Sequence, residues 1–229
     1  MRQRPGAQAN DAEYARLLSD LACGGASMVA TERGGVGVLT GILPVTSART
    51  ICGPAVTVRS HAGDNLAVHR SIYEAEAGDI IVVANGGDTE VAVWGEVMTV
   101  AAQARGLAGL VTDGVVRDSG AIERLGLPVF ARGVTPRGPR KEDAGAVNRP
   151  VELAGIEVQP GDFLVGDADG VVVVPGADAP AVAERCRRHF DRERALLDEV
   201  RAGGSVIELF GFDARIPTDL RPPGHRPRD

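Results

Sequence analysis

The chain has 229 residues, 44% of them hydrophobic, and a formal net charge of −6 at pH 7. That is enough chain and apolar content to bury one sizeable core, while the acidic balance argues against a nucleic-acid partner, which calls for a concentrated basic surface. Aromatics make up only 3%, no apolar run approaches the roughly 18 residues of a membrane span, and the scattered Cys23, Cys52 and Cys186 form neither a disulfide framework nor a CxxC metal site. A soluble, non-exported protein of the reducing cytoplasm, with no membrane partner, is therefore expected.

Residues 1–10 show no periodicity and are expected to be flexible. The segment 55-AVTVRS-60 reads as a strand, and Asp64 as the cap of a helix running from near Asn65 toward Ala75 and stopped by Gly78. Strand 79-DIIVVA-84 leads through 85-NGGDTE-90 into a helix from about Glu90 to Arg105 that ends at Gly106. Strand 108-AGLVTD-113, a helix from Ser119 to Leu125 closed by Gly126, and strand 128-PVFA-131 continue the alternation, which argues for an α/β core with parallel strands. The stretch 132–150 is rich in Pro, Gly and charge and reads as a long surface loop. After it, 151-VEL-153, 156-IEV-158, 162–166 and 171-VVVV-174 have the turn spacing of antiparallel hairpins, so the sheet should be mixed. A long helix from about Asp178 to Arg201 carries Val182, Cys186, Phe190, Leu197 and Val200 on one stripe, interrupted by Glu193. The end, 221–229, is expected to fray.

In α/β proteins ligands sit in turns at the carboxyl ends of strands, and two glycine-rich turns occupy such places, 85-NGGD-88 and 113-DGVVRD-118. The second packs two carboxylates and an arginine into six residues. It is either a solvated turn or a site in which Arg117 grips a carboxylate or keto oxygen and a neighbouring carboxylate holds a hard cation. Gly95 and Glu96 interrupt an apolar helical stretch, and a mid-helix glycine costs about 1 kcal/mol relative to alanine. Either the helix packs closely there, or it starts near Gly95 and aims the amides of Glu96, Val97 and Met98 at an anion. Other features read as structural: 167-DADG-170 is a hairpin turn, the turn at 85–88 lacks a dinucleotide fingerprint, and the four histidines lack metal spacing, with His69 near the wall of the pocket.

Glu96, a gap of twenty residues and then Arg117-Asp118 resemble the signature of the class II pyruvate aldolases of the RraA-like family. Similar blocks follow in the family's order: 53-GPAVTV-58, 63-GDN-65 with His69, 77-AGD-79, 94-WGEVM-98, 128-PVFARGVTP-136, 147-VNRPV-151, 160-PGD-162 and 166-GDADGVVVVP-175. The resemblance covers roughly residues 53–203, with the family domain expected over 11–203 and a partly disordered extension at 204–229. It implies a single-domain α/β fold, a β/β/α sandwich of the swivelling-domain type with a mixed sheet and a long C-terminal helix.

The resemblance also implies a divalent cation, Mg2+ or Mn2+, bound by Asp118, and a small 2-oxo acid substrate. Arg117 would contact its carboxylate and keto oxygen, with backbone at Gly95, Val97 and Met98 holding the carboxylate. Glu96 would position a water, and Glu193 would enter from a neighbouring subunit's helix, so that a homotrimer or hexamer carries the site at its interface. The implied reaction is retro-aldol cleavage of a 4-hydroxy-2-oxo acid with two or three carboxylates, accompanied by oxaloacetate decarboxylation. The alternatives are an aldolase for another hydroxy-oxo acid, or a non-catalytic regulatory binding protein like RraA itself, whose counterpart of the Arg-Asp pair lacks the Asp. Two departures stand out: Glu96 replaces the usual Asp, and 23–41 matches the family's opening poorly. The only lysine, Lys141, falls in the polar loop, so no Schiff-base lysine is expected.

Overall fold

The computed structural model describes residues 11–47, 50–212 and 215. In chain order the first elements are α1 (Asp11–Ala22), α2 (Gly25–Glu32), β1 (Leu43–Pro44), β2 (Ile51–Arg59), α3 (Leu66–Glu74), β3 (Ile80–Ala84) and β4 (Ala92–Trp94). There follow α4 (Glu96–Ala104), β5 (Gly109–Thr112), β6 (Val115–Val116), α5 (Ser119–Leu125), β7 (Val129–Ala131), β8 (Gly133–Val134) and β9 (Ala146–Val147). The last are β10 (Val151–Leu153), β11 (Ile156–Val158), β12 (Phe163–Asp167), β13 (Gly170–Val174), α6 (Ala179–Arg201) and α7 (Val206–Leu209).

The central sheet runs β1-β7-β5-β3-β2-β12-β13, with β9 also paired to β2. Strands β2, β3, β5 and β7 are parallel neighbours, whereas β12 joins β2 antiparallel and β13 hairpins back on β12. Parallel strands are covered on both faces and so read as continuous apolar runs, which is what Ile80–Ala84 is, every residue buried. The pleat sends alternate residues of that run to opposite faces. Ile81 and Val83 join a core with Val68 and Ile72 of α3, Met98 and Ala102 of α4 and Ile122 of α5. Ile80 and Val82 join Leu39, Ile42, Leu153, Val158 and Leu164 on the other face. The mixed α/β sandwich expected from the sequence is thus observed, including the hairpins β10–β11 and β12–β13.

Three expectations need correction. The helix expected from Glu90 starts six residues later at Glu96, because Ala92–Trp94 is a strand of a small parallel sheet, β4-β6-β8. The stretch 132–150 is not a free loop: Gly133–Val134 pairs with β6 and Ala146–Val147 with the end of β2. The stripe on α6 is buried only in its first half, at Val182 and Cys186, while Leu197 is 45% exposed. Helices α1 and α2 had no counterpart in the sequence reading. The expectations for residues 1–10 and 221–229 fall outside the described residues.

The chain divides into two compact units, 1–187 and 188–229, with the boundary inside α6. In the second, the distal part of α6 is followed by a turn in which the Gly204 amide donates to the Glu199 carbonyl, and then by α7, after which Phe210 and Phe212 stack at 5.3 Å between ring centroids.

Candidate active site

Strand β4 ends at Trp94, and α4 begins two residues on, with Gly95 as its cap. The strand is anchored by apolar burial: Trp94 is 1% exposed, and its indole N–H donates to Thr99 Oγ1 at 2.8 Å. From this end the Trp94 carbonyl accepts the Arg117 amide at 2.9 Å, which ties the turn after β6 beside the start of α4. The backbone of Asp118 adopts the left-handed conformation, φ 57°, and its carbonyl accepts the amides of Ala121 and Ile122 in α5. Aspartate tolerates that conformation better than most residues. The consequence is that the Asp118 carboxylate turns toward α4, where its Oδ2 accepts the Glu96 amide at 3.1 Å and lies 3.5 Å from Arg117 Nε.

Gly95 is required by close approach and not by its backbone, which is extended at φ −164°. A methyl group there would lie 2.6 Å from Asp118 Oδ2 and 3.2 Å from Arg117 Nε. Gly138 does the same on the other side, where a Cβ would stand 2.6 Å from an Arg117 guanidinium nitrogen. The arrangement confirms the helix start near Gly95 that the glycine cost suggested. One detail differs: the Glu96 amide is taken by Asp118, and it is the amides of Val97 and Met98 that have no acceptor among the described residues.

These groups line a hollow of about 130 Å3. Gly95, Glu96, Val97, Met98, Arg117 and Asp118, all proposed from the sequence, share it. Glu96, Arg117 and Asp118 also edge a wider groove of about 570 Å3 that runs past Ser119, Arg124 and Val134. Glu193 is a different case: it lies in the second unit, in a hollow with His189, Arg192 and Phe210. Asp113, the other carboxylate of the turn, is buried away from the hollow, where its Oδ1 accepts the Asn85 amide. Burial pushes its pKa up against the pull of the Asn85 and Gly87 amides and of Arg132, as befits a turn-holding residue.

Of the lining residues not proposed as site residues, Asn65 and Lys141 are polar and had been given no place in the pocket. Asn65 is buried and donates through Nδ2 to the Val93 carbonyl at 3.1 Å, and its Oδ1 has no hydrogen-bond partner among the described residues. Lys141 also lines the hollow, from an exposed position on the irregular stretch where the sequence placed it. His69 stands in the same wall, and burial and then the Lys141 charge hold its pKa below the usual 6.5.

Asp64 holds this wall in place. Its Oδ1 accepts the Leu66 amide at 2.9 Å, capping α3 as expected, and its Oδ2 accepts the amides of Glu142 at 2.7 Å and Asp143 at 3.2 Å. Burial works against the charge, but those three amides and Arg140 outweigh it and hold the carboxyl below its ordinary 3.8. Asp64→Ala is expected to cost about 1–3 kcal/mol, because three part-buried amides lose their acceptor. Since folding lowers this pKa, the contribution is present above pH ~4 and is lost as pH falls through the folded value. Thermal melts of wild type and variant should therefore differ at pH 7 and converge in acid.

The donor set suits a hard cation of the magnesium type, which keeps several waters and needs one or two carboxylates. Asp118 with Glu96 meets that requirement, and among the described residues no group of three or more His, Cys, Asp or Glu forms an all-protein cage.

The model for the RraA-like family, aldolase/RraA, matches residues 17–173. The chain belongs to the RraA-like family. The family match reaches further toward the N-terminus than the motif blocks, so the segment 23–41 lies inside it, and it stops before Glu193. Among relatives of the RraA-like chain, a protein of Halalkalibacterium halodurans provisionally named 4-hydroxy-4-methyl-2-oxoglutarate aldolase is 39% identical over 171 residues, 73% of this chain and 81% of its own. A crystal structure of an uncharacterised protein from Pseudomonas syringae superposes with TM-score 0.77 at 30% identity, covering 86% of this chain and 93% of its own. The RNA-processing inhibitor RraA from Thermus thermophilus superposes with TM-score 0.57 at 30% identity, covering 60% and 84%. No helix of the described residues is long and apolar enough to cross a membrane.

Proposed function

We propose that this protein is a divalent-metal-dependent lyase that cleaves a 4-hydroxy-2-oxo acid with two or three carboxylates into pyruvate and a second oxo acid. The observation that carries this reading is the pairing of Arg117 with Asp118 beside the amides of Val97 and Met98, which have no acceptor among the described residues, in one small hollow. The two amides, at the positive end of α4, receive the substrate 1-carboxylate. The Arg117 guanidinium donates to the 2-oxo oxygen. A Mg2+ or Mn2+ ion held by Asp118 would supply Lewis-acid polarisation of that oxygen, worth several kcal/mol.

Glu96 orients a water that takes the 4-hydroxyl proton; the C3–C4 bond then breaks, its electrons form the pyruvate enolate, and the water returns a proton to C3. Charge developing on the enolate oxygen is met by Arg117, a preorganised donor worth roughly 3 kcal/mol. The same enolate forms when oxaloacetate loses carbon dioxide, so that decarboxylation accompanies the main reaction. Glu193 from a neighbouring subunit completes the site in a homotrimer or hexamer of the cytoplasm. The relative named as an aldolase supports the chemistry, and the RNA-processing inhibitor supports the competing reading of a binding protein without catalysis.

Metal dependence separates the two. With 4-hydroxy-4-methyl-2-oxoglutarate or oxaloacetate, pyruvate release coupled to NADH oxidation is expected to require Mg2+ or Mn2+, to stop on chelation and to return when metal is restored. Absence of metal-stimulated release above the protein-free blank, with both substrates, would overturn the lyase for these substrates and leave the binding protein or an aldolase for another hydroxy-oxo acid, which a wider substrate panel separates.

A further inference from the structure

Lys141 is the only lysine among the chain's 25 lysines and arginines. Its side chain is exposed on an irregular segment, but the backbone there is held on both sides. The backbone before it is tied by the Arg140 amide to the Gly63 carbonyl at 2.8 Å and by the Asn65 amide to the Arg140 carbonyl at 3.1 Å. The backbone after it is tied by the amides of Glu142 and Asp143 to the buried Asp64 carboxylate. Four hydrogen bonds from residues 63–65 thus bracket one residue, and that residue lines the hollow with Asn65, His69 and Arg117. No ion pair or hydrogen bond engages its ammonium among the described residues, whereas Arg117 is already beside Asp118.

A pyruvyl head is provided for without it: amides for the 1-carboxylate, Arg117 for the 2-oxo oxygen, a carboxylate for the metal. An exposed ammonium carried by a held backbone at the edge of the same hollow is a surplus positive charge, and its natural complement is a further negative group on the substrate. We propose that Lys141 is a substrate-binding residue that pairs with a second carboxylate, so that the site selects 2-oxo acids carrying two or more carboxylates over those carrying one. The inference rests on the lyase reading for its substrate class, and on geometry alone for the pairing. Asp64 acts through it, as a positioning residue.

The single lysine makes the test direct. Reductive 13C-methylation keeps the charge and labels Lys141 and the chain's α-amine, which pH titration tells apart. In the presence of Mg2+, 2-oxoglutarate is expected to move the Lys141 resonance and pyruvate to leave it within a small fraction of that shift. In turnover, Lys141→Met is expected to lower kcat/KM for 4-hydroxy-4-methyl-2-oxoglutarate by roughly 10–100-fold, the worth of a charged hydrogen bond. The loss for the monocarboxylic 4-hydroxy-2-oxopentanoate should be about ten-fold smaller, with Lys141→Arg recovering part of the difference. Equal losses on both substrates, or an unmoved resonance with 2-oxoglutarate, overturn the pairing even if wild-type enzyme releases pyruvate. A shifted resonance without pyruvate from any substrate keeps the carboxylate pairing and removes the lyase reading. Borohydride trapping of pyruvate on Lys141 overturns it too, by making the residue a Schiff-base former.

Discussion

Asp118→Ala is expected to lower metal-stimulated pyruvate release by about 10³-fold or more, since the polarisation lost is worth several kcal/mol and each 1.4 kcal/mol is tenfold. The substitution removes the one carboxylate that faces both the Glu96 amide and Arg117 Nε. It also leaves alanine in a left-handed backbone, φ 57°, which adds roughly 1 kcal/mol of strain. Asp118→Asn isolates the two effects. Asparagine tolerates that backbone and keeps the hydrogen bond from Glu96, but it brings no charge to a cation. Its melting temperature should match wild type while release falls as far as in the alanine variant. Steady-state assays over a Mg2+ titration check this, and undiminished release by the asparagine variant would contradict the metal role of Asp118.

Gly95→Ala should reduce kcat/KM by about 10²-fold, the effect expected when reacting groups are displaced by about an ångström. The extended backbone at residue 95 accepts alanine, so the fold should be retained and the melting temperature should stay close to wild type. The cost falls on the site, because the new methyl group meets Asp118 Oδ2 at 2.6 Å and the Arg117 side chain at 3.1–3.2 Å. Both groups must retreat together. In an Asp118→Asn background the same change should therefore add less than it does alone, since the two substitutions damage one constellation. A Gly95→Ala enzyme with wild-type kinetics would mean that the Arg117–Asp118 geometry is not what the reaction depends on.

Much of this site is local and could be read along the chain. Arg117 and Asp118 are adjacent, the strand β5 that leads to their turn announces itself by its apolar run, and the cost of a mid-helix glycine at 95 offers a helix start there as one of two readings. The hairpins after residue 150 follow from turn residues at regular spacing, and they are observed. Strands of two or three residues are another matter. Ala92–Trp94, Val115–Val116 and Gly133–Val134 are too short to show a period, and they become strands only by pairing with one another. That pairing sets the Gly95 cap beside Asp118.

Composition, the alternation of the longer strands and helices after residue 50, and the Arg-Asp pair were thus determined by the sequence alone, because propensity, burial period and covalent adjacency act over a few residues. The tertiary structure decided that the loop carrying the exposed Lys141 borders the hollow. The deciding contacts join residues 63–65 to 140–143, more than seventy positions apart, through a buried carboxylate whose partners are backbone amides. Such amides carry no side-chain identity, so no pattern of residues announces them, and only the folded chain brings donor and acceptor within reach.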